Sequence, residues 1–141
     1  MGRLLAIDFG RKRCGIAVTD PLRIVANGLT TVSTASLIDF VRDYISREAV
    51  DRIIVGEPRD MQGNPSESQR FLRPAIARLH NAIPQIEIIF FDERFTSVLA
   101  HRAMIDGGLG RMARRDKALV DEISAAIILN GYLSSREYNP N

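Results

Sequence analysis

Apolar residues along the 141-residue chain fall into short runs separated by polar, glycine- and proline-bearing breaks. The first run, Leu4 to Ile7, ends on a single carboxylate, Asp8, followed by Phe9 and Gly10. A basic loop, Arg11-Lys12-Arg13, leads into a second run from Cys14 to Val18. This pattern predicts strands over about 3–8 and 14–19, joined as a β-hairpin with Asp8 projecting from the edge of the sheet. The second strand closes at Thr19-Asp20-Pro21, and a third, Gly28 to Val32, completes an antiparallel meander.

From there the period changes. Ser33 or Thr34 is placed to cap a helix whose apolar positions, Leu37, Ile38, Val41, Tyr44 and Ile45, recur at helical spacing. Arg52-Ile53-Ile54-Val55-Gly56 is almost wholly apolar, as expected of a strand buried on both faces, and a polar loop from Glu57 to Pro65 follows it. Ser66 with Gln69 resembles a capping box opening a helix that runs to about His80. Its expected inner stripe is Phe71, Leu72, Ile76 and Leu79, with Pro74 a source of kinking or delay. Ile86 to Phe91 reads as a further buried strand ending at Asp92-Glu93-Arg94. Thr96 or Ser97 then caps a helix to about Ile105, which Asp106-Gly107-Gly108 ends. Leu109 to Arg115 reads as a mobile segment. A last helix from about Asp116 to Leu133 carries Leu119, Val120, Ile123, Ala126, Ile127 and Leu129 inward.

The order βββαβαβαα predicts an α/β fold: a mixed five-stranded sheet, three antiparallel strands then parallel ones, with helices on both faces. Residues 1–135 form one expected domain and 136–141 a frayed tail. In such sheets ligands bind at the carboxyl ends of the strands. Asp8 and the Asp92-Glu93 pair fall at two such ends. Asp121 stands four residues after Lys117 on the last helix, so the two share a helix face.

Composition narrows the class. The chain is 45% hydrophobic and 26% charged, ordinary for a soluble globular protein. Its one cysteine cannot form an internal disulfide, and no signal peptide or membrane span is apparent, so a cytoplasmic protein is the expectation. Net charge is only +2, but Arg11, Lys12 and Arg13 cluster in the first loop, and Arg111, Arg114, Arg115 and Lys117 in a later segment. Two such loops converging near carboxylates suit a polyanion bound through metal and phosphate contacts; taken alone, each reads equally as a solvated loop.

Clustered carboxylates repel unless cations lie between them, so Asp8, Glu93 and Asp121 together call for Mg2+ or Mn2+. Two divalent ions about 3.5–4 Å apart and bridged by Asp8 would activate a water and stabilise the leaving oxygen of a phosphodiester. Lys117 is then placed to offset phosphate charge or orient the water, and Arg94 to contact the nucleic-acid backbone or a neighbouring acid. Asp92 reads as a capping group or a supporting neighbour of the metal ligand. Only one of Asp121 and Glu122 can face the cluster, since neighbours on a helix point about 100° apart; Glu122 is assigned to solvent. Cys14 reads as core, Asp20 as a turn residue, and His80 and His101 as surface or packing residues.

These residues resemble a known family, the bacterial YqgF proteins. The matches are Ile7-Asp8-Phe9-Gly10, Lys12-Arg13 and Gly15-Ile16-Ala17-Val18, then Val55-Gly56 with Pro58, and Met61 with Gly63. They continue through Asp92-Glu93-Arg94-Phe95-Thr96-Ser97 and Lys117, Asp121, Ser124-Ala125-Ala126 and Ile128-Leu129, in order along nearly the whole chain. The resemblance implies a ribonuclease-H-like fold and a metal-dependent nuclease with Asp8, Glu93 and Asp121 as its acidic set. It implies maturation of the 5′ end of 16S rRNA, possible contact with ribosomal precursor particles, or resolution of branched DNA junctions, as monomer or homodimer. Arg11, Lys12, Arg13, Arg94, Arg114 and Arg115 are the expected phosphate-holding residues. Two positions depart from the family pattern: Glu57 replaces the usual leucine, and Gln62 an acid. Glu57 is therefore either an extra ligand or a group that repels substrate.

Two rival classes remain. An actin-like or sugar-kinase-like ATPase opens on a similar Asp-x-Gly hairpin but needs two domains of ~100–200 residues each. A non-catalytic nucleic-acid-binding module gains nothing from clustered negative charge facing phosphates.

Overall fold

The structure, a computed structural model, describes residues 2–57, 69–92 and 117–135. Strands β1 (Arg3–Phe9), β2 (Arg13–Thr19) and β3 (Ala26–Ser33) form the antiparallel meander. Helix α1 (Leu37–Arg47) leads to β4 (Val50–Glu57), and α2 (Gln69–Ala82) to β5 (Glu87–Asp92); α3 (Lys117–Ser134) comes last. The five strands lie in the order β3-β2-β1-β4-β5, with β4 parallel to β1 and β5 parallel to β4. This is the mixed five-stranded sheet that the pattern predicts, with β1 at its centre. The helix expected over 96–105 and the segment 109–115 lie outside the described residues, as does Ser66.

Alternation along the strands sorts side chains between two cores. Leu5, Ile7, Cys14, Ile16, Val18, Ile53 and Val55 face α1 and α2, meeting Leu37, Val41, Leu72, Ile76 and Leu79. Leu4, Ala6, Ala17, Ala26 and Ile54 face α3 on the other side, against Ala125, Ile128, Leu129 and Tyr132. Fully burying each large aliphatic side chain contributes about 1.5–3 kcal/mol before entropy is charged against it.

Four expectations need correction. The buried stripe of α3 is Ala125, Ile128, Leu129 and Tyr132, while Val120, Ile123 and Ile127 are only half-buried. Apolar residues run all round this helix, so periodicity carries little information about its buried face. Phe71 is not on the inner stripe of α2; it is 43% exposed, while Leu72, Ile76 and Leu79 point inward as expected and Ala75 joins them. Neither Ser33 nor Thr34 caps α1 through its side chain: a 3-10 turn at Thr34–Ser36 intervenes. Glu57 ends β4 rather than starting a loop, in register with Asp92 of β5.

The opposite end of the sheet is tied by Arg23, whose φ of 60° marks the turn between β2 and β3. Its guanidinium donates to the Gly2 carbonyl at 3.0 Å and pairs with Asp51, which also accepts the Gly2 N–H at 2.8 Å. That backbone donor, and then Arg23, hold the Asp51 carboxyl below its usual pKa. Asp20 is the turn residue expected, accepting the backbone N–H groups of Ile24 and Val25 at 2.8 Å each.

Candidate active site

Asp8 stands near the carboxyl end of the central strand. Strand parity puts it with Leu4 and Ala6, on the face that α3 covers, and it is half-buried there. Its partner across the β1–β2 ladder is Gly15, and that glycine makes room for the helix. A Cβ built at Gly15 would collide with the backbone carbonyl of Asp121 and come within 3.0 Å of the Asp121 Cβ. Only a residue without a side chain lets α3 descend this far onto β2. The Asp121 backbone thus rests on the residue paired with Asp8, and the two acids come to the same corner of the fold. Asp121 also heads the stripe that continues through Ala125, Ile128 and Tyr132, so core packing of α3 fixes its position. Glu122 is half-buried above Gly28 of β3 rather than wholly in solvent.

The basic loop closes over this corner. Arg13 Nε donates to Asp121 Oδ2 at 2.7 Å, so one guanidinium counters one carboxylate. The side chains of this pair are 39% and 25% exposed. Gly10, Arg11, Lys12, Arg13 and Asp121 line a pocket of about 410 Å3. The loop is pinned from behind by Thr34, whose hydroxyl donates to the Gly10 carbonyl at 2.6 Å and whose N–H donates to that of Lys12 at 2.9 Å. Thr34 is therefore committed to the loop, which explains why it does not cap α1.

Cys14 reports on the local field. Burial pushes its thiol pKa up, hydrogen bonds with Thr34 and the Gly10 backbone oppose this, and Asp8 and Asp121 both add to the rise.

The other anticipated residues divide. Glu93, Arg94, Arg114 and Arg115 lie outside the described residues, and Lys117 opens α3 one turn before Asp121. Asp92 ends β5 in the alternation that puts Ile88 and Phe90 against the α1–α2 core, so it belongs to the face opposite Asp8. Glu57, its register neighbour, is 4% exposed and paired with Arg73 of α2, whose Nε also donates to Gln69 Oε1 at 3.1 Å. The Arg73 guanidinium lies 4.2 Å from the centre of the Phe90 ring. Glu57 is therefore paired with Arg73 and, by the parity of β4, lies on the sheet face opposite Asp8. Among the described residues no group of three or more acidic, histidine or cysteine side chains is gathered for a metal. Asp8 and Asp121 supply two hard oxygen donors, the donor type that Mg2+ and Mn2+ take. Gly15, read from sequence only as part of a motif, and Thr34, read as a helix cap, are positioning residues whose partners lie on a distant helix and in the basic loop.

Comparison with known proteins agrees with this architecture. A Porphyromonas gingivalis protein named "Putative pre-16S rRNA nuclease" is 57% identical over 135 residues, spanning 96% of this chain and 98% of its own. A Phocaeicola vulgatus protein of the same name is 57% identical over 138 residues, 98% of this chain and 99% of its own. Among solved structures, Thermus thermophilus RuvC in complex with a Holliday junction substrate superposes with a TM-score of 0.59 at 16% identity, over 95% of this chain and 97% of that one. That likeness establishes the shared ribonuclease-H-like fold. The family model described as "RuvX: Holliday junction resolvase" matches residues 2–135, and the chain therefore belongs to this family of nucleases, the one its sequence motifs resemble under the name YqgF.

Proposed function

We propose that this chain is a metal-dependent nuclease that hydrolyses phosphodiester bonds in structured RNA and trims the 5′ end of pre-16S rRNA. The observation that carries the reading is the convergence of Asp8 and Asp121 over Gly15, beside the pinned basic loop. Carboxylates facing a polyanion are unfavourable unless a cation joins them. Asp8, Asp121 and Glu93 would hold Mg2+ or Mn2+, which when bound lowers the pKa of a water and offsets charge on the leaving oxygen.

The chain's own groups do the positioning. Arg13 holds Asp121 through Oδ2 and keeps it oriented. Arg11 and Lys12, exposed at the pocket mouth, hold phosphates on either side of the scissile bond. Lys117 offsets phosphate charge from the start of α3, and Arg94, Arg114 and Arg115 extend the phosphate track. The names carried by relatives at 57% identity support rRNA as the substrate; ribosomal precursor particles as the setting and the cytoplasm as the compartment are part of the same proposal. Among the described residues no helix is long and apolar enough to cross a membrane.

The test is cleavage of end-labelled pre-16S rRNA leader and of a four-way DNA junction, with Mn2+ or EDTA, by wild type and Asp8→Asn. The expected result is RNA cut only with metal and only by wild type. Junction cleavage in its place supports the activity in the family's description, which requires a homodimer to cut two strands in concert. Binding of both substrates without cutting, unchanged in Asp8→Asn, refutes catalysis.

A further inference from the structure

A second pocket, of about 440 Å3, lies on the opposite face of the sheet, where β1 meets α2. Its wall carries three arginines, Arg11, Arg70 and Arg78, and two phenylalanines, Phe9 and Phe71; among the described residues no carboxylate lines it. Positive charge there is uncompensated: among the described residues no acid pairs with Arg11, Arg70 or Arg78. By contrast Arg3, Arg13, Arg23, Arg47, Arg52 and Arg73 each hold a carboxylate.

The aromatic component is equally unusual. Phe71 is the largest exposed apolar side chain of α2, 43% accessible, although Leu72 beside it is buried. The Arg11 guanidinium lies 4.0 Å from the centre of its ring. A ring held by a cation and open to solvent is a stacking platform, because every nucleobase has a π face that such a pair attracts. Arg70 and Arg78 are two helical turns apart on the same side of α2, about 12 Å along its axis, and flank Phe71 and Pro74. They stand where phosphates on either side of a stacked base would need cations. Continuity with the acidic corner comes from Arg11, which lines both pockets. A strand leaving that corner therefore passes over the rim of the sheet, along the basic loop, and reaches Phe71.

We infer that this pocket is a second nucleic-acid subsite, which stacks an unpaired base on Phe71 and Arg11 and grips its flanking phosphates through Arg70 and Arg78. The inference rests on the reading of the chain as a nuclease and adds to it a requirement for a single-stranded flank beyond the scissile bond. Duplex lacking such a flank has no free base to offer the pocket.

The experiment measures binding by the full chain carrying Asp8→Asn, which holds RNA uncut, using fluorescein-labelled single-stranded RNA with one 2-aminopurine. Binding quenches the 2-aminopurine when the base stacks. Phe71→Ala, which changes no charge and alters an exposed residue, is expected to weaken binding about tenfold and abolish the quench, whereas Phe71→Trp retains both. Arg78→Gln is expected to lower the slope of log affinity against log salt by about one. Affinity and quench unchanged in Phe71→Ala, with RNA still bound, overturn the subsite and leave the nuclease reading intact. Absence of any RNA or DNA binding overturns both. Equal quenching by the free 2-aminopurine mononucleotide at the same concentration overturns the strand-binding assignment in favour of a nucleotide pocket.

Discussion

Replacing Gly15 by alanine tests whether the site depends on the distance between α3 and the sheet. The added methyl would lie 3.0 Å from the Asp121 Cβ and closer still to that residue's carbonyl. Carbon atoms pack best at about 3.5–4.0 Å, so the helix must retreat by roughly 1 Å or more at Asp121. The obstacle is backbone, which cannot rotate away as a long side chain would. Overpacking of this kind costs about 1–3 kcal/mol, which at about 4 °C per kcal/mol lowers Tm by about 4–12 °C. A displacement of roughly 1 Å at a catalytic group costs about 100-fold in rate. Gly28→Ala is the internal control, because its Cβ would meet the Glu122 Cβ at 3.1 Å and the Glu122 carbonyl oxygen at 3.3 Å, a far smaller overlap under the same helix and beside a residue not assigned to catalysis. It should cost under about 1 kcal/mol, as surface-grade adjustments do, and little activity. The assays are thermal unfolding by circular dichroism and single-turnover RNA cleavage in Mn2+. Gly15→Ala with wild-type Tm and rate, or the same loss from Gly28→Ala, would refute the argument that Gly15 sets the geometry.

Glu57→Leu restores the residue usual in the family and removes one partner of the pair, but Arg73 is half-exposed and turns to water, so no buried charge is stranded. The cost stays below the value for breaking a fully buried pair, about 3–5 kcal/mol. Tm should shift by only a few degrees and the Mn2+ dependence of cleavage should not move, so a changed metal requirement would return Glu57 to the acidic corner. The Cys14 thiol, buried and with a raised pKa, should resist iodoacetamide at pH 8 in the native state and react on unfolding, as read by mass spectrometry. Asp51 has a folded pKa below 3.8, so its contribution is present above that value and lost as pH falls through the folded pKa. The Tm gap between wild type and Asp51→Asn should therefore be constant near neutrality, shrink below pH 3.8 and close in stronger acid; a gap independent of pH would contradict the assignment.

The strand meander was legible because each run of residues alternates or stays apolar over a length that only strands share, and the breaks at Gly10 and Pro21 punctuate it. Asp8, Asp121 and the Arg11–Arg13 loop were legible as polar residues in apolar or glycine-flanked settings. The buried face of α3 was not, since a helix apolar on every side can roll without breaking its pattern. Phe71 and Leu72 are adjacent, so only one can face the core, and hydrophobicity ranks them almost equally; Leu72 shares the buried stripe of Ala75, Ile76 and Leu79, and Phe71 is left to meet Arg11 from a loop far away in sequence. Glu57 likewise looked ambiguous because its partner, Arg73, lies on the next helix and the parity of β4 was undefined until its end was known. Local rules thus identify elements, whereas the facing of their side chains depends on contacts that span the chain.

The ion pair between Arg13 and Asp121 joins positions 108 residues apart. During synthesis at about 5–20 residues per second, the first half of that pair leaves the ribosome about 5–20 s before the second. The β1–β2 hairpin, with Asp8 and its basic loop, can form in that interval, but the corner it contributes to has no floor of helix against it. On the proposed reading, the acidic corner is thus incomplete as the chain emerges, and it closes only once helix α3 has been released and docked.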